Sequence, residues 1–282
     1  MSLSTGMHKI HAVLDGTFRL DGGAMFGVVP KTLWEKEMPP DPKNRIELAL
    51  RCMLIETKDR LVLVETGIGD KLDPKRKSIY EVSHEEHDVL RSLGRVGVSR
   101  EDVTDVILTH LHFDHAGGAT TIEAGSAVPS FPRAAHWVQR ENLAHGRAPI
   151  EHDRASYLEE NFEPLARAGI LRTVEGERML LPGITVSPVH GHTPGMQIVT
   201  VEGPQASVVF CTDLVPTASH LRIAWNMAYD LNPRATIEQK KLLFERWADH
   251  RTILFFYHDP IIAGARIARE GDKFVPLDHI RM

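Results

Sequence analysis

Between His110 and His115 the chain places three imidazoles and a carboxylate within six residues, in the run Thr109-His110-Leu111-His112-Phe113-Asp114-His115-Ala116-Gly117-Gly118. Imidazole nitrogens and carboxylate oxygens are the donors that suit zinc and its divalent neighbours. A hydrophobic core gains nothing from four polar groups packed so closely. The chain has 16 histidines, and a lone one would carry little signal. Four donor residues, His110, His112, Asp114 and His115, ahead of a Gly-Gly pair point to a metal site.

Such a group needs a rigid mount. Val103-Thr104-Asp105-Val106-Ile107-Leu108 is β-branched and apolar, and reads as a buried strand. The histidines follow where strand gives way to loop, a place that holds geometry. Gly117-Gly118 then reads as a tight turn using positive φ. Three later strand-like runs also end in polar groups. Ile184 to Val189 leads into His190-Gly191-His192-Thr193-Pro194-Gly195. Ala206 to Cys211 leads into Thr212-Asp213, and Thr252 to Tyr257 into His258-Asp259-Pro260.

The remaining stretches supply the frame. Ile10 to Leu20 reads as a first strand, broken by Asp21-Gly22-Gly23. Residues 21–45 carry Met25, Phe26, Trp34 and a proline cluster, and read as a loop that flaps over a pocket or caps the core. Leu48 to Glu56 and Leu61 to Glu65 form a hairpin through Lys58-Asp59. Lys71 to Lys77 is a basic cluster on a loop. Ser83 with Glu86 is a capping box opening a helix to about Leu93. Ala135 to Val138 is a short strand, and Arg140 to His145 and Arg154 to Arg167 read as helical. Asn232-Pro233 opens an amphipathic helix. Cys211, two residues before Asp213, shares its side on a continuing strand and reads as a small buried hydrophobe.

Composition bounds the class. The 282 residues are 42% apolar and 25% charged, which suits one layered α/β domain spanning 1–282. Residues 1–6 are compatible with a cloning remnant. A net charge of −5 gives no support to a nucleic-acid partner. Two cysteines imply no disulfide framework, and a cytoplasmic location is expected. The N-terminus lacks a signal-peptide pattern, and no apolar run approaches the roughly 18 residues of a membrane helix, so no membrane association is expected. No internal repeat is visible.

The pattern His-x-His-x-Asp-His-x-Gly-Gly at 110–118 resembles the signature of the metallo-β-lactamase superfamily of hydrolases. Gly-His-Thr-Pro-Gly at 191–195, the strand ending in Asp213 and Phe-Phe-x-His-Asp at 255–259 are similar to the later motifs, in the same order. The resemblance implies a four-layer αββα sandwich with two mixed sheets and two divalent metals at one edge. Zinc is the first expectation, with iron, manganese or cobalt as alternatives. Carried over residue by residue, one metal takes His110, His112 and His192, and the other Asp114, His115 and His258. Asp213 bridges them, and His190 is a supporting candidate. The resemblance further implies a hydroxide shared by the two ions, with Asp114 handing a proton to the leaving group.

The ligand set bears on the reaction. The oxygen-reducing branch has Glu where this chain has His112, which favours hydrolysis over redox. The wording is closest to the acyl-homoserine-lactone lactonase branch, so the expected substrate is a small-molecule lactone or carboxylic ester. Those lactonases carry a Tyr three residues after the bridging Asp, where this chain has Pro216. Tyr229 or His220 are the candidates to replace it, with Phe113 as a further pocket residue. The alternatives are a phosphotriester or phosphodiester hydrolase of the same fold, or a non-catalytic binding member. A homodimer is compatible with the family.

Overall fold

The computed structural model describes residues 2–281. Its frame is two β-sheets packed face to face. The first sheet has seven strands, in the spatial order Ser2–Ser4, Lys9–Asp21, Arg45–Glu56, Leu61–Val64, Asp105–Ile107, Ala135–Gln139 and Leu171–Val174. Its early strands pair antiparallel, and from Leu61–Val64 onward neighbours run parallel. The second sheet has six, in the order Arg178–Leu181, Ile184–Val189, Met196–Glu202, Ser207–Phe210, Thr252–Phe255 and Gly264–Ala265. There only Ser207–Phe210 and Thr252–Phe255 are parallel.

Period-two alternation builds the layers. Val208, Phe210, Ile253 and Phe255 face the central core with Val13, Leu50 and Val64 of the first sheet. Their neighbours Val209, Leu254 and Phe256 face outward onto Leu243, Phe244 and Trp247 of the helix Pro233–Trp247. Each such side chain contributes about 1.5–3 kcal/mol by burial. Asn232 caps that helix, accepting from the Ala235 N–H at 3.0 Å, with proline at the first helical position as expected. On the other outer face Ser92, from the helix Val89–Arg95, donates to the Leu14 carbonyl at 2.7 Å. The four-layer α/β arrangement follows from these contacts.

Several local expectations are corrected. Residues 21–45 are not an open loop. They hold short helices at Gly22–Phe26 and Lys31–Trp34, and Met25, Phe26 and Trp34 are buried. Lys71 to Lys77 is not all loop, because Asp73 caps a helix Pro74–Tyr80. Ser83 is no N-cap. Its backbone pairs with Thr17, and Asp88 caps the next helix, Val89–Arg95. The expected helix Arg154 to Arg167 is broken into turns at Arg154–Ser156 and Glu159–Asn161 and a short helix Glu163–Arg167.

Candidate metal centre

The parallel pairings bring strand ends to one edge, where open α/β sheets place their sites. His110, His192, Asp213 and His258 each stand three residues beyond a strand's last residue, namely Ile107, Val189, Phe210 and Phe255. After His112 the chain coils into the short helix Phe113–Ala116, which carries Asp114 and His115 into the same group. Gly117-Gly118 serves a different purpose from the one expected. Neither glycine has positive φ. A Cβ on Gly118 would lie 2.1 Å from the Thr66 carbonyl oxygen, and one on Gly117 2.1 Å from that of Ile68. The 66–69 turn rests on bare backbone there.

All seven expected ligands come together, and all are buried. Asp213 Oδ2 lies 3.2 Å from His192 Nε2, 3.4 Å from His115 Nε2 and 3.9 Å from His110 Nε2. Its Oδ1 lies 3.4 Å from His258 Nε2. Asp114 Oδ2 lies 3.5 Å from His258 Nε2 and 3.8 Å from His115 Nε2. His112 Nδ1 and His192 Nε2 are 3.2 Å apart. The expected donors fall into the compact sets His110, His112, His192 and Asp213, and Asp114, His115 and His258, while Glu65 forms a third, overlapping set with His110 and His115.

This set fits divalent cations. Nε2 of His110 and of His115 and Oδ1 of Asp213 are buried without a hydrogen-bond partner. Unpaired buried polar atoms are costly, and lone pairs converging on one another call for a cation. Burial and the neighbouring imidazoles hold His110 and His112 well below the ordinary histidine range. Burial opposes ionisation of Asp213, but His115, His258 and His192 outweigh it and keep the carboxylate charged. Neutral imidazole and ionised carboxylate are the forms that bind metal. Burial also disfavours the charged forms of His115 and His192, but Asp213 and its carboxylate neighbours pull both upward, a place a cation would take over from a proton.

Outer contacts fix the rings, and sequence reading missed most of them. His258 Nδ1 donates to the Ala49 carbonyl at 3.0 Å, which leaves Nε2 as the free lone pair. His192 Nδ1 faces Asp230 Oδ1 at 3.0 Å. His110 Nδ1 is 3.0 Å from Thr109 Oγ1. Glu65 Oε1 lies 3.5 Å from His115 Nδ1 and accepts from the Thr109 N–H at 3.0 Å. The Tyr257 hydroxyl donates to the Asp114 carbonyl at 2.5 Å.

A cavity opens onto the centre, lined by Leu20, Met25, Tyr80, Phe113, Met227 and Tyr229 beside the ligand residues. Phe113 and Tyr229 thus line this cavity, and Tyr80 joins them, stacked on Phe113 at 5.0 Å. His220 does not reach the cavity. It is buried, stacks on Phe26 at 4.9 Å and donates from Nε2 to the Met25 carbonyl at 2.9 Å. Burial pulls it down to about 3, so it stays neutral and structural. His190 is exposed, away from the buried cluster. Cys211 leaves the strand before Asp213, because its backbone is already helical, and burial pushes its thiol up, so it is no nucleophile.

Comparison with known proteins agrees with this geometry. Residues 48–258 match the family model of the metallo-beta-lactamase superfamily. A curated N-acyl homoserine lactonase of Bacillus cereus is 26% identical over 235 residues, covering 77% of this chain and 84% of that protein. The crystal structure of a probable metal-dependent hydrolase from Staphylococcus aureus superposes with a TM-score of 0.91 at 30% identity, covering 99% of both chains. A dizinc quorum-quenching lactonase solved with a product, N-hexanoyl-L-homoserine, shares the fold at TM-score 0.79 and 19% identity, with 100% of this chain and 97% of that one covered. A buried histidine–aspartate cluster at the shared edge of two mixed sheets and a family match across most of the chain agree: this protein belongs to the metallo-β-lactamase superfamily of hydrolases.

Proposed function

We propose that this chain is a dinuclear metal-dependent hydrolase of small lactones or carboxylic esters. The carrying observation is the position of Asp213, whose Oδ2 faces His110, His192 and His115 and whose Oδ1 faces His258, so that one carboxylate touches both donor sets. His110, His112 and His192 would hold one ion, Asp114, His115 and His258 the other, with Asp213 between them. When bound, two divalent ions, zinc foremost, supply a Lewis acid and a water acidified toward neutral pH.

The chain's own groups do the rest. Asp114 has two imidazole neighbours where Asp213 has four, and it lines the cavity, so it is the carboxylate free to carry a proton to the departing oxygen. Leu20, Met25, Phe113 and Met227 give the pocket an apolar wall suited to an organic substrate. The Pro216 carbonyl accepts from the His258 N–H at 3.0 Å, so position 216 supports a ligand rather than the substrate. Tyr80 and Tyr229 line the cavity and are the candidates to contact a substrate carbonyl instead. The lactonase names of the curated relatives support this substrate class.

Metal analysis with a panel of γ-lactones, aryl esters and phosphotriesters tests the reading. Two ions per chain and turnover of lactones or esters, both lost in Asp213→Ala, is the expected result. Preference for phosphotriesters would reassign the substrate, and a metallated chain inert on all three classes would point to a binding role.

A further inference from the structure

Among the described residues, two buried non-glycine residues hold a left-handed backbone, Glu65 at φ 65° and Thr212 at φ 45°. The others, Asn44, Glu81, Ala124 and His250, sit on turns and bends with some exposure. In that region the Cβ crowds the following carbonyl, and a β-branched residue such as Thr212 is strained further. Buried strain persists only where surrounding bonds over-determine it, and it collects where a function needs the conformation. Thr212 stands directly before Asp213 and opens the turn Thr212–Leu214. Its backbone angle therefore sets the direction in which Asp213 leaves the strand Ser207–Phe210.

Both strained residues are tied to one point. The Thr109 N–H donates to Glu65 Oε1 at 3.0 Å, and Thr109 Oγ1 lies 2.7 Å from Thr212 Oγ1. The Thr109 carbonyl accepts from the Gln197 N–H at 3.0 Å, which fixes Thr109 against the second sheet. Thr109 Oγ1 also lies 3.0 Å from His110 Nδ1. His110 Nε2 is the nitrogen turned to Asp213, so Nδ1 carries the proton and donates it to Thr109. Thr109 then donates its own hydroxyl proton to Thr212. Both threonines are fully buried, so bulk water does not compete for these bonds.

We propose that the hydroxyl pair of Thr109 and Thr212 is the positioning device of this centre. It holds Thr212 in its strained conformation and so aims Asp213 between the two donor sets, while the same Thr109 oxygen fixes the His110 ring. The inference rests on the two-ion reading above and assigns the residues that prepare its bridging carboxylate. A turn serving stability alone would be better filled by glycine, which adopts this φ without strain. Position 212 carries a branched residue instead, and the hydroxyl contact that residue brings reaches the one neighbour that also orients a candidate ligand.

The test titrates the full chain with Co(II), reading stepwise affinity by chelator competition and the ligand field by the visible spectrum. Unfolding midpoints of the metal-free chain are measured alongside. Thr212→Gly removes both the strain and the hydroxyl. It should leave the metal-free midpoint near that of wild type, while Co(II) affinity falls about 10–100-fold and the visible bands shift. Thr212→Ser, which keeps the hydroxyl, should bind within about threefold of wild type and show its spectrum. Thr212→Val, which keeps the branch and loses the hydroxyl, should lose affinity as the glycine variant does, and the glycine variant decides should valine fail to fold. A Thr212→Gly chain that binds both ions within about threefold of wild type overturns the proposal, as does an equal loss in Thr212→Ser. Affinity lost only in step with the metal-free midpoint would make Thr212 a general support of the fold and overturn it as well. A wild type that takes up fewer than two ions overturns the parent reading, and this one with it.

Discussion

His192 Nδ1 and Asp230 Oδ1 lie 3.0 Å apart, with side-chain exposures of 2% and 1%. The carboxylate accepts the Nδ1 proton and thereby leaves Nε2 unprotonated toward Asp213. Asp230→Ala should weaken metal binding about 10–100-fold. Competition with a chromogenic chelator reads this directly, and an unchanged affinity would remove Asp230 from the centre.

Glu65 stands in the left-handed region at φ 65°, fully buried, and accepts from the Thr109 N–H. Truncation orphans that N–H and removes the carboxylate 3.5 Å from His115 Nδ1. Glu65→Ala should cost about 1–3 kcal/mol in urea unfolding of the metal-free chain, and lower metal affinity besides. Equal unfolding midpoints for variant and wild type would show that the contact carries no stability.

Asp15 ties the turn under the Gly117-Gly118 pair. It accepts from the N–H groups of Ile68 at 2.8 Å, Gly69 at 3.0 Å and Val89 at 3.0 Å. Gly67 has φ 77°, and a Cβ there would sit 2.1 Å from Asp15 Oδ2. Asp15→Ala and Gly67→Ala should each destabilise the chain by on the order of 3 kcal/mol, seen as a lower denaturant midpoint. A loss below about 0.5 kcal/mol in both would mean the turn is held elsewhere.

Lys240 is buried inside the helix face and donates from Nζ to the carbonyls of His220 at 3.1 Å and Trp225 at 2.7 Å. Burial pulls it down to about 7, against 10.5 for a free lysine, with Asp230 opposing. Between those values the unfolded chain holds a proton that the folded chain has released. Its contribution to stability therefore rises with pH across that window and is flat below it. The stability advantage of wild type over Lys240→Met should widen from roughly pH 6 to roughly pH 9 in urea titrations. A gap independent of pH would reject the neutral buried amine.

The candidate ligand side chains are legible because each group of them follows a strand whose apolar run is local in sequence. Their supports are not, because they arrive from elsewhere: Asp230 from a crossover, Ala49 as a mid-strand carbonyl, Glu65 from a neighbouring strand end. Arg154 to Arg167 looked helical by composition. Tyr157, Asn161 and Leu165 recur at helical spacing, but Tyr157 and Leu158 are held extended, with Tyr157 bridged to His112, and this pairing breaks the segment into turns. Ser83 carried a capping signature, but pairing with Thr17 held it extended, and Asp88 took the cap. His220 seemed available near the site, yet the Met25 carbonyl and Phe26 claim it.

The parallel pairing of Ser207–Phe210 with Thr252–Phe255 carries an evolutionary corollary. A chain that delivers Asp213 and then His258 to the same rim must travel away and come back between them. That detour, residues 215–251, furnishes Met227 and Tyr229 to the cavity, while hydrogen-bonded register, not the detour, anchors the two donor residues. Provided Asp230 is kept, its furnishings are open to revision. Diverging descendants of such a scaffold can change diet without relearning how to digest.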